Sequence, residues 1–180
     1  MLLRYRADLR CWDSPRGSPT QQAVRFGVSA RSIDMVASMA DAGLPRYDPS
    51  IYPKDDVYKV ETVGALGAPM DSWVPELAWR MTGVQSTGVV VDWAIMINAY
   101  REEDGAGGPR RRVERIDICD SEVHVHRFCR SSDPNDDLGK CERLISLSAG
   151  DEFSVDCQFD DQMVLVSHEW ENRMRRWIDG

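Results

Sequence analysis

Apolar and polar positions alternate strictly over residues 2–11, with Leu3, Tyr5, Ala7, Leu9 and Cys11 on one side and Arg4, Arg6, Asp8 and Arg10 on the other. A period of two predicts a half-buried strand. Residues 12–19 then gather Asp, Ser, Pro and Gly into a loop. From Ser29 the spacing changes. Ile33, Val36, Ala37, Ala40 and Leu44 recur at helical intervals and Gly43 and Pro45 act as stop signals, which predicts a helix over 29–43. Residues 45–56 form a proline-punctuated loop whose tyrosines are expected to pack, and residues 57–63 add a short strand before a loop at 64–69.

Residues 71–82 read as a second helix, with Asp71 or Ser72 near its cap, Pro75 in its first turn, Gly83 at its end and Trp73, Leu77 and Met81 as its buried stripe. The densest β-branched stretch follows at 88–100 and predicts a central strand. After a Gly-rich loop at 101–109, residues 111–119 and 122–130 read as a hairpin, and residues 141–148 as one more strand. The acidic loop 131–139 lacks the ligand pattern of a calcium loop and reads as solvated surface. A C-terminal helix over 159–177 carries Phe159, Met163, Val166, Trp170, Met174 and Trp177 as its apolar stripe, with Arg173, Arg175 and Arg176 where cations suit the helix dipole. The sum is an α+β fold in one domain spanning 1–180. An antiparallel sheet with a central meander (88–100, 111–119, 122–130) is packed by helices at 29–43, 71–82 and 159–177, with residues 1–70 as an N-terminal ββα subregion.

Residues 22–29 leave two readings open. As a strand, Val24, Phe26 and Val28 share a face and return beside the first strand. Alternatively, residues 26–33 resemble the central turn of helix-turn-helix proteins, with Gly27 in the turn and Ser29 capping a second helix. That resemblance implies a DNA-binding regulator using residues 20–43.

Composition narrows the function classes. A chain of 180 residues, 42% hydrophobic and 29% charged, is long enough for one full core. The net charge of −8 excludes a uniformly basic nucleic-acid-binding surface, though Arg110, Arg111 and Arg112 leave room for a local patch. Neither a secretory leader nor an apolar run approaching the roughly 18 residues of a membrane span is visible, so a cytoplasmic protein without a membrane partner is expected. The five cysteines (Cys11, Cys119, Cys129, Cys141, Cys157) are odd in number and contain no CxxC pair, which suits reduced thiols better than a disulfide framework or a structural zinc site. The chain contains no GxSxG, GxxxxGK[ST] or GxGxxG, and no cofactor is expected.

Catalytic-type residues converge in residues 111–129. For Ile116, Ile118, Val123 and Val125 all to face the core, the turn must be Asp120-Ser121, which sets Ile118 opposite Val123 and Ile116 opposite Val125. The other face then carries Arg115, Asp117, Cys119, Glu122, His124 and His126, with Asp117 opposite His124 and Arg115 opposite His126. By the same parity Asp92, Asn98 and Tyr100 join that face. Two imidazoles, carboxylates and a guanidinium suffice for metal-independent cleavage of an RNA phosphodiester, with catalytic roles for His124, His126, Asp117 and Arg115 and with Asp117 orienting His124. The same His-x-His pattern suits a metal, with Asp117 or Glu122 as third ligand, and the metal assignment stays open. Equally, a sheet with one wet face produces such cross-strand pairs with no function at all.

Arg115-Ile-Asp117 followed by His124-Val-His126, after one long apolar strand and before a C-terminal helix, resembles small bacterial domains that include some toxins of toxin-antitoxin modules. The resemblance spans about residues 88–177, with Ile118-Cys119-Asp120 standing where those toxins often carry an Asn and a further His-Gly. It implies an intracellular bacterial or phage ribonuclease of toxin or phage-defence type, with RNA as partner. The acidic charge supports a different class, a non-enzymatic interaction protein of antitoxin, immunity or inhibitor type with a protein partner.

Overall fold

A computed structural model describes residues 45–131, 133 and 139–180. The expected strand at 2–11, both readings of 20–43 with the helix at 29–43, and much of the acidic loop lie outside the described residues. Within them, six strands follow one another: β1 (Val57–Ala65), β2 (Trp73–Val84), β3 (Val90–Arg101), β4 (Arg111–Cys119), β5 (Glu122–Arg127) and β6 (Lys140–Ser146). Each pairs antiparallel with its neighbour in sequence, so the sheet order is β1-β2-β3-β4-β5-β6, a plain meander. One long helix, α1 (Glu152–Asp179), follows. The described residues are therefore mostly sheet with one helix, not a sheet packed by several.

The stretch expected to be a helix at 71–82 is β2, in register with β1 on one side and β3 on the other. Trp73, Leu77 and Met81 lie four apart, so they share one face of a helix and equally one face of a strand. Trp79 decides between the two, because it joins that stripe only at period two. Its ring does so, meeting Phe159 of α1 at 5.7 Å. The expected cap residues make a turn instead. Asp71 and Ser72 have φ of 48° and 64°, and Met70 and Trp73 exchange two backbone hydrogen bonds of 2.8 Å across them. Positive φ at both central residues is the tight hairpin turn whose twist matches the strands it joins. Asp120 and Ser121, with φ of 52° and 64°, form the same turn between β4 and β5.

The sheet has two unlike faces. One carries Trp93, Ile95, Ile97, Ile116, Val123 and Val125, all buried, and α1 packs across it. At 1.5 Å per residue this helix is about 42 Å long. It begins at Glu152, ahead of the expected 159, so Val155 heads the stripe. Trp177 meets Trp73 edge-on at 5.0 Å, and Trp93 Nε1 donates to the Val155 carbonyl at 3.0 Å. Tyr47 is buried too: its hydroxyl donates to the Val91 carbonyl at 2.6 Å, as expected of a packing tyrosine.

A charged cluster is enclosed between sheet and helix. Glu114 of β4, 2% exposed, is bonded by Arg173, by Arg176 at 2.6 Å, and approached by Arg127 Nε at 3.6 Å. A carboxylate taken out of water is tolerated only with such partners. Arg173 and Arg176 therefore face a specific acceptor as well as the helix end. Among the described residues, no helix is long and apolar enough to cross a membrane.

Candidate functional site

The face of the sheet opposite α1 holds the candidate residues. Starting from the Asp120-Ser121 turn, β4 and β5 pair Ile118 with Val123 and Ile116 with Val125, which leaves Asp117 opposite His124 and Arg115 opposite His126 on the other face. This is the register that core parity demands. β6 adds two further residues to the same surface, because Arg143 pairs with His124 and Cys141 with His126. The ladder shifts between Val123 and His124, so Leu144 is the extra residue that resets the alternation.

Side-chain contacts depart from the backbone pairing. Asp117 sits opposite His124, yet its Oδ1 lies 3.4 Å from His126 Nε2 and its Oδ2 lies 3.0 Å from Arg115 Nε. His124 Nε2 is instead 2.7 Å from Glu122 Oε2, and the other Glu122 oxygen accepts from Arg143 at 2.9 Å. Long side chains reach diagonal and same-strand neighbours as well as the directly opposed residue. The expected Asp117–His124 partnership is thus replaced by a hydrogen-bonded chain, Arg143–Glu122–His124, and by an ion-pair cluster of Arg115, Asp117 and His126 whose facing atoms lack hydrogen-bond geometry. The rings of His124 and His126 stand nearly perpendicular, with centroids 6.0 Å apart. Their side chains are 14% and 6% exposed. Arg143's hydrogen bond, and after it that of His124, holds the Glu122 carboxyl below the usual glutamate range.

Asp92, Asn98 and Tyr100 do not converge with this group. Ala94 and Met96 are the β3 residues opposite Asp117 and Arg115. Asp92 bonds Arg80 of β2 at 2.8 Å, and the Tyr100 ring lies under Arg110, 5.0 Å from its guanidinium carbon. Arg110 itself makes a two-pronged bridge to Glu76, at 3.2 and 2.9 Å, so part of the basic stretch 110–112 is neutralised inside the sheet face.

Glu122 and Arg143 are the functional-type residues that the expected catalytic set omitted. Glu122 was legible by parity, two residues before His124, whereas Arg143 and Cys141 depend on how β6 pairs. The donor atoms of His124, His126 and Cys141 lie within 4.8 Å of one another. In a metal-binding arrangement the third ligand is therefore a thiol of β6 rather than Asp117 or Glu122, whose carboxylates lie at the Nε2 atoms of the two rings. Elsewhere, a concavity of about 220 Å³ between Tyr52, Val91 and Glu152 offers little acid-base chemistry. Burial and a hydrogen bond to Glu152 push the Tyr52 phenol up to about 12, further from the range where it could act as a base. No protein-family model, curated protein or solved structure matches this chain.

Proposed function

We propose that the chain is a nuclease-like acid-base catalyst that cleaves RNA phosphodiesters at the β4–β5–β6 face. The observation that carries this reading is the convergence of two imidazoles 6.0 Å apart, His124 hydrogen-bonded to Glu122 and through it to Arg143, and His126 at ion-pair distance from Asp117, which lies beside Arg115. Transesterification needs a proton removed from the 2′-hydroxyl as its oxygen bonds to phosphorus, and a proton delivered to the 5′-oxygen as the P–O bond breaks. One neutral and one protonated imidazole perform both transfers and exchange states. Asp117 and Glu122 orient the rings, and Arg115 and Arg143 supply the positive charge for the phosphorane oxygens. The likeness of Arg115-Ile-Asp117 and His124-Val-His126 to toxin-module strands supports the same class, and with it a toxin or phage-defence role.

Incubation with single-stranded RNA in the presence of a chelator tests the reading. Cleavage by the unaltered chain, lost in both His124→Ala and His126→Ala with unchanged circular dichroism, is the expected result. Cleavage that persists in the double variant ends it.

A second reading, an acidic protein that binds a basic protein partner, is favoured by the net charge of −8, with Phe153 and Val164, 66% and 56% exposed on one side of α1, as apolar residues such a contact covers. Its signature is no RNA turnover together with a stable complex that Phe153→Glu and Val164→Glu abolish.

A further inference from the structure

We infer that His124, His126 and Cys141 form a binding site for a thiophilic divalent cation of the zinc class, and that the ion regulates the acid-base face by occupying both of its imidazoles. The binding rests on geometry alone, while the regulatory consequence rests on the reading proposed above.

Three donor atoms from three side chains within 4.8 Å of one another are close to a ligand set. Bonds of about 2.0–2.3 Å in a tetrahedral site put neighbouring ligand atoms roughly 3.3–3.7 Å apart, so side-chain movements on the order of 1 Å close the shell. The backbone already supplies the frame. His124 and His126 point the same way because they are two apart on β5, and Cys141 is the residue paired with His126 across the β5–β6 ladder. All three side chains thus sit on paired strands rather than loops.

The surroundings match what a ligating imidazole requires. Metal-bound histidines are oriented by a carboxylate on the ring nitrogen that does not bind the ion, and that partner fixes the tautomer. Here Glu122 lies 2.7 Å from His124 Nε2 and Asp117 lies 3.4 Å from His126 Nε2, each with an arginine within ion-pair distance, so the proposed ion takes Nδ1 of each ring. Two nitrogens and a sulfur form a borderline-soft set that prefers zinc-class ions over magnesium or calcium. Burial grades across the site, with His126 buried, His124 intermediate and Cys141 exposed. An ion therefore enters from the Cys141 side, and the fourth position is left to water.

Cobalt(II) titration of the chelator-treated full-length chain tests the binding half, because a cobalt–thiolate bond produces a charge-transfer absorption and zinc displaces it. One equivalent of cobalt should generate that absorption. Cys141→Ser should abolish it, Cys157→Ser should leave it intact, and Glu122→Gln, a change to a positioning residue, should weaken zinc affinity about 10-fold in competition with a chromophoric chelator. An absorption that survives in Cys141→Ser, or the absence of any absorption in the unaltered chain, overturns the site. RNA cleavage with and without stoichiometric zinc tests the regulatory half. Inhibition by zinc, relieved in Cys141→Ser, supports it, and cleavage indifferent to zinc overturns it. A chain that binds cobalt through Cys141 but cleaves no RNA under chelation overturns the nuclease reading and leaves the metal site standing.

Discussion

His124 takes its carboxylate from Glu122, two residues back on its own strand at 2.7 Å, and not from Asp117 across the ladder. Arg143 completes the contact on the far Glu122 oxygen, and these two bonds hold the carboxyl below its ordinary range. A folded value below the unfolded one contributes stability fully present above the unfolded value, roughly pH 4.3, and lost as pH falls through the depressed one. Glu122→Gln should therefore cost about 0.2–1 kcal/mol near pH 6, as partly exposed ion pairs do, and less at pH 3. Urea denaturation of both proteins at the two pH values measures it. A gap that widens on acidification has the opposite sign.

Glu114 is the enclosed carboxylate that Arg173 and Arg176 of α1 share. Removing one member of a buried ionic cluster leaves the others desolvated and unneutralised. Glu114→Ala should destabilise by about 3–5 kcal/mol, and the double variant Glu114→Leu/Arg173→Met should recover most of that loss. Chemical denaturation of the three proteins gives the comparison, with equal stability of single and double variants as the contrary result.

Gly67 is in contact with the Trp170 ring of α1, close enough that a Cβ built there would lie 2.2 Å from the indole. An added methyl must displace either the Trp170 ring from its packing or the loop. Gly67→Ala should lose about 1–3 kcal/mol, as overpacked sites do. Gly64→Ala, at a position with open space around it, should stay within about 0.5 kcal/mol of the parent. Thermal unfolding of the pair separates a packing requirement from a general intolerance of this segment.

Ser72 and Ser121 occupy the same left-handed position in two equivalent turns. A side chain with a Cβ is strained there and glycine is not. Ser72→Gly should stabilise by about 0.5–1 kcal/mol. Ser121→Gly should gain less, because the Ser121 hydroxyl donates to the Tyr47 carbonyl at 2.8 Å and that bond is lost. Paired denaturation curves test the order, and an equal gain at both sites would show that the Tyr47 bond contributes nothing.

Much of the framework is written locally. The density of β-branched residues in β3, the core parity of Ile116, Ile118, Val123 and Val125, and the turn letters Asp120-Ser121 were enough to specify the hairpin and the register that puts Asp117 opposite His124. The three- and four-residue spacing from Phe159 to Trp177 likewise specified the helix, since periodicity survives without any knowledge of the partner. β2 was not legible in the same way. Trp73, Leu77 and Met81 share a face at either period, and the Asp-Ser that reads as a turn at 120–121 reads as a helix cap at 71–72 until Trp79 finds Phe159.

What the amino-acid order alone determined about the candidate site was the face, not the contacts. Which carboxylate holds which imidazole depends on how side chains reach along and across the ladder. Whether Cys141 and Arg143 come beside the histidines depends on β6 pairing with β5 and shifting register between Val123 and His124. The acceptor of Arg173 lies 59 positions earlier in the chain. Those relationships are long-range and cooperative, formed only when six strands and one helix close around a common core, so tertiary structure decided them.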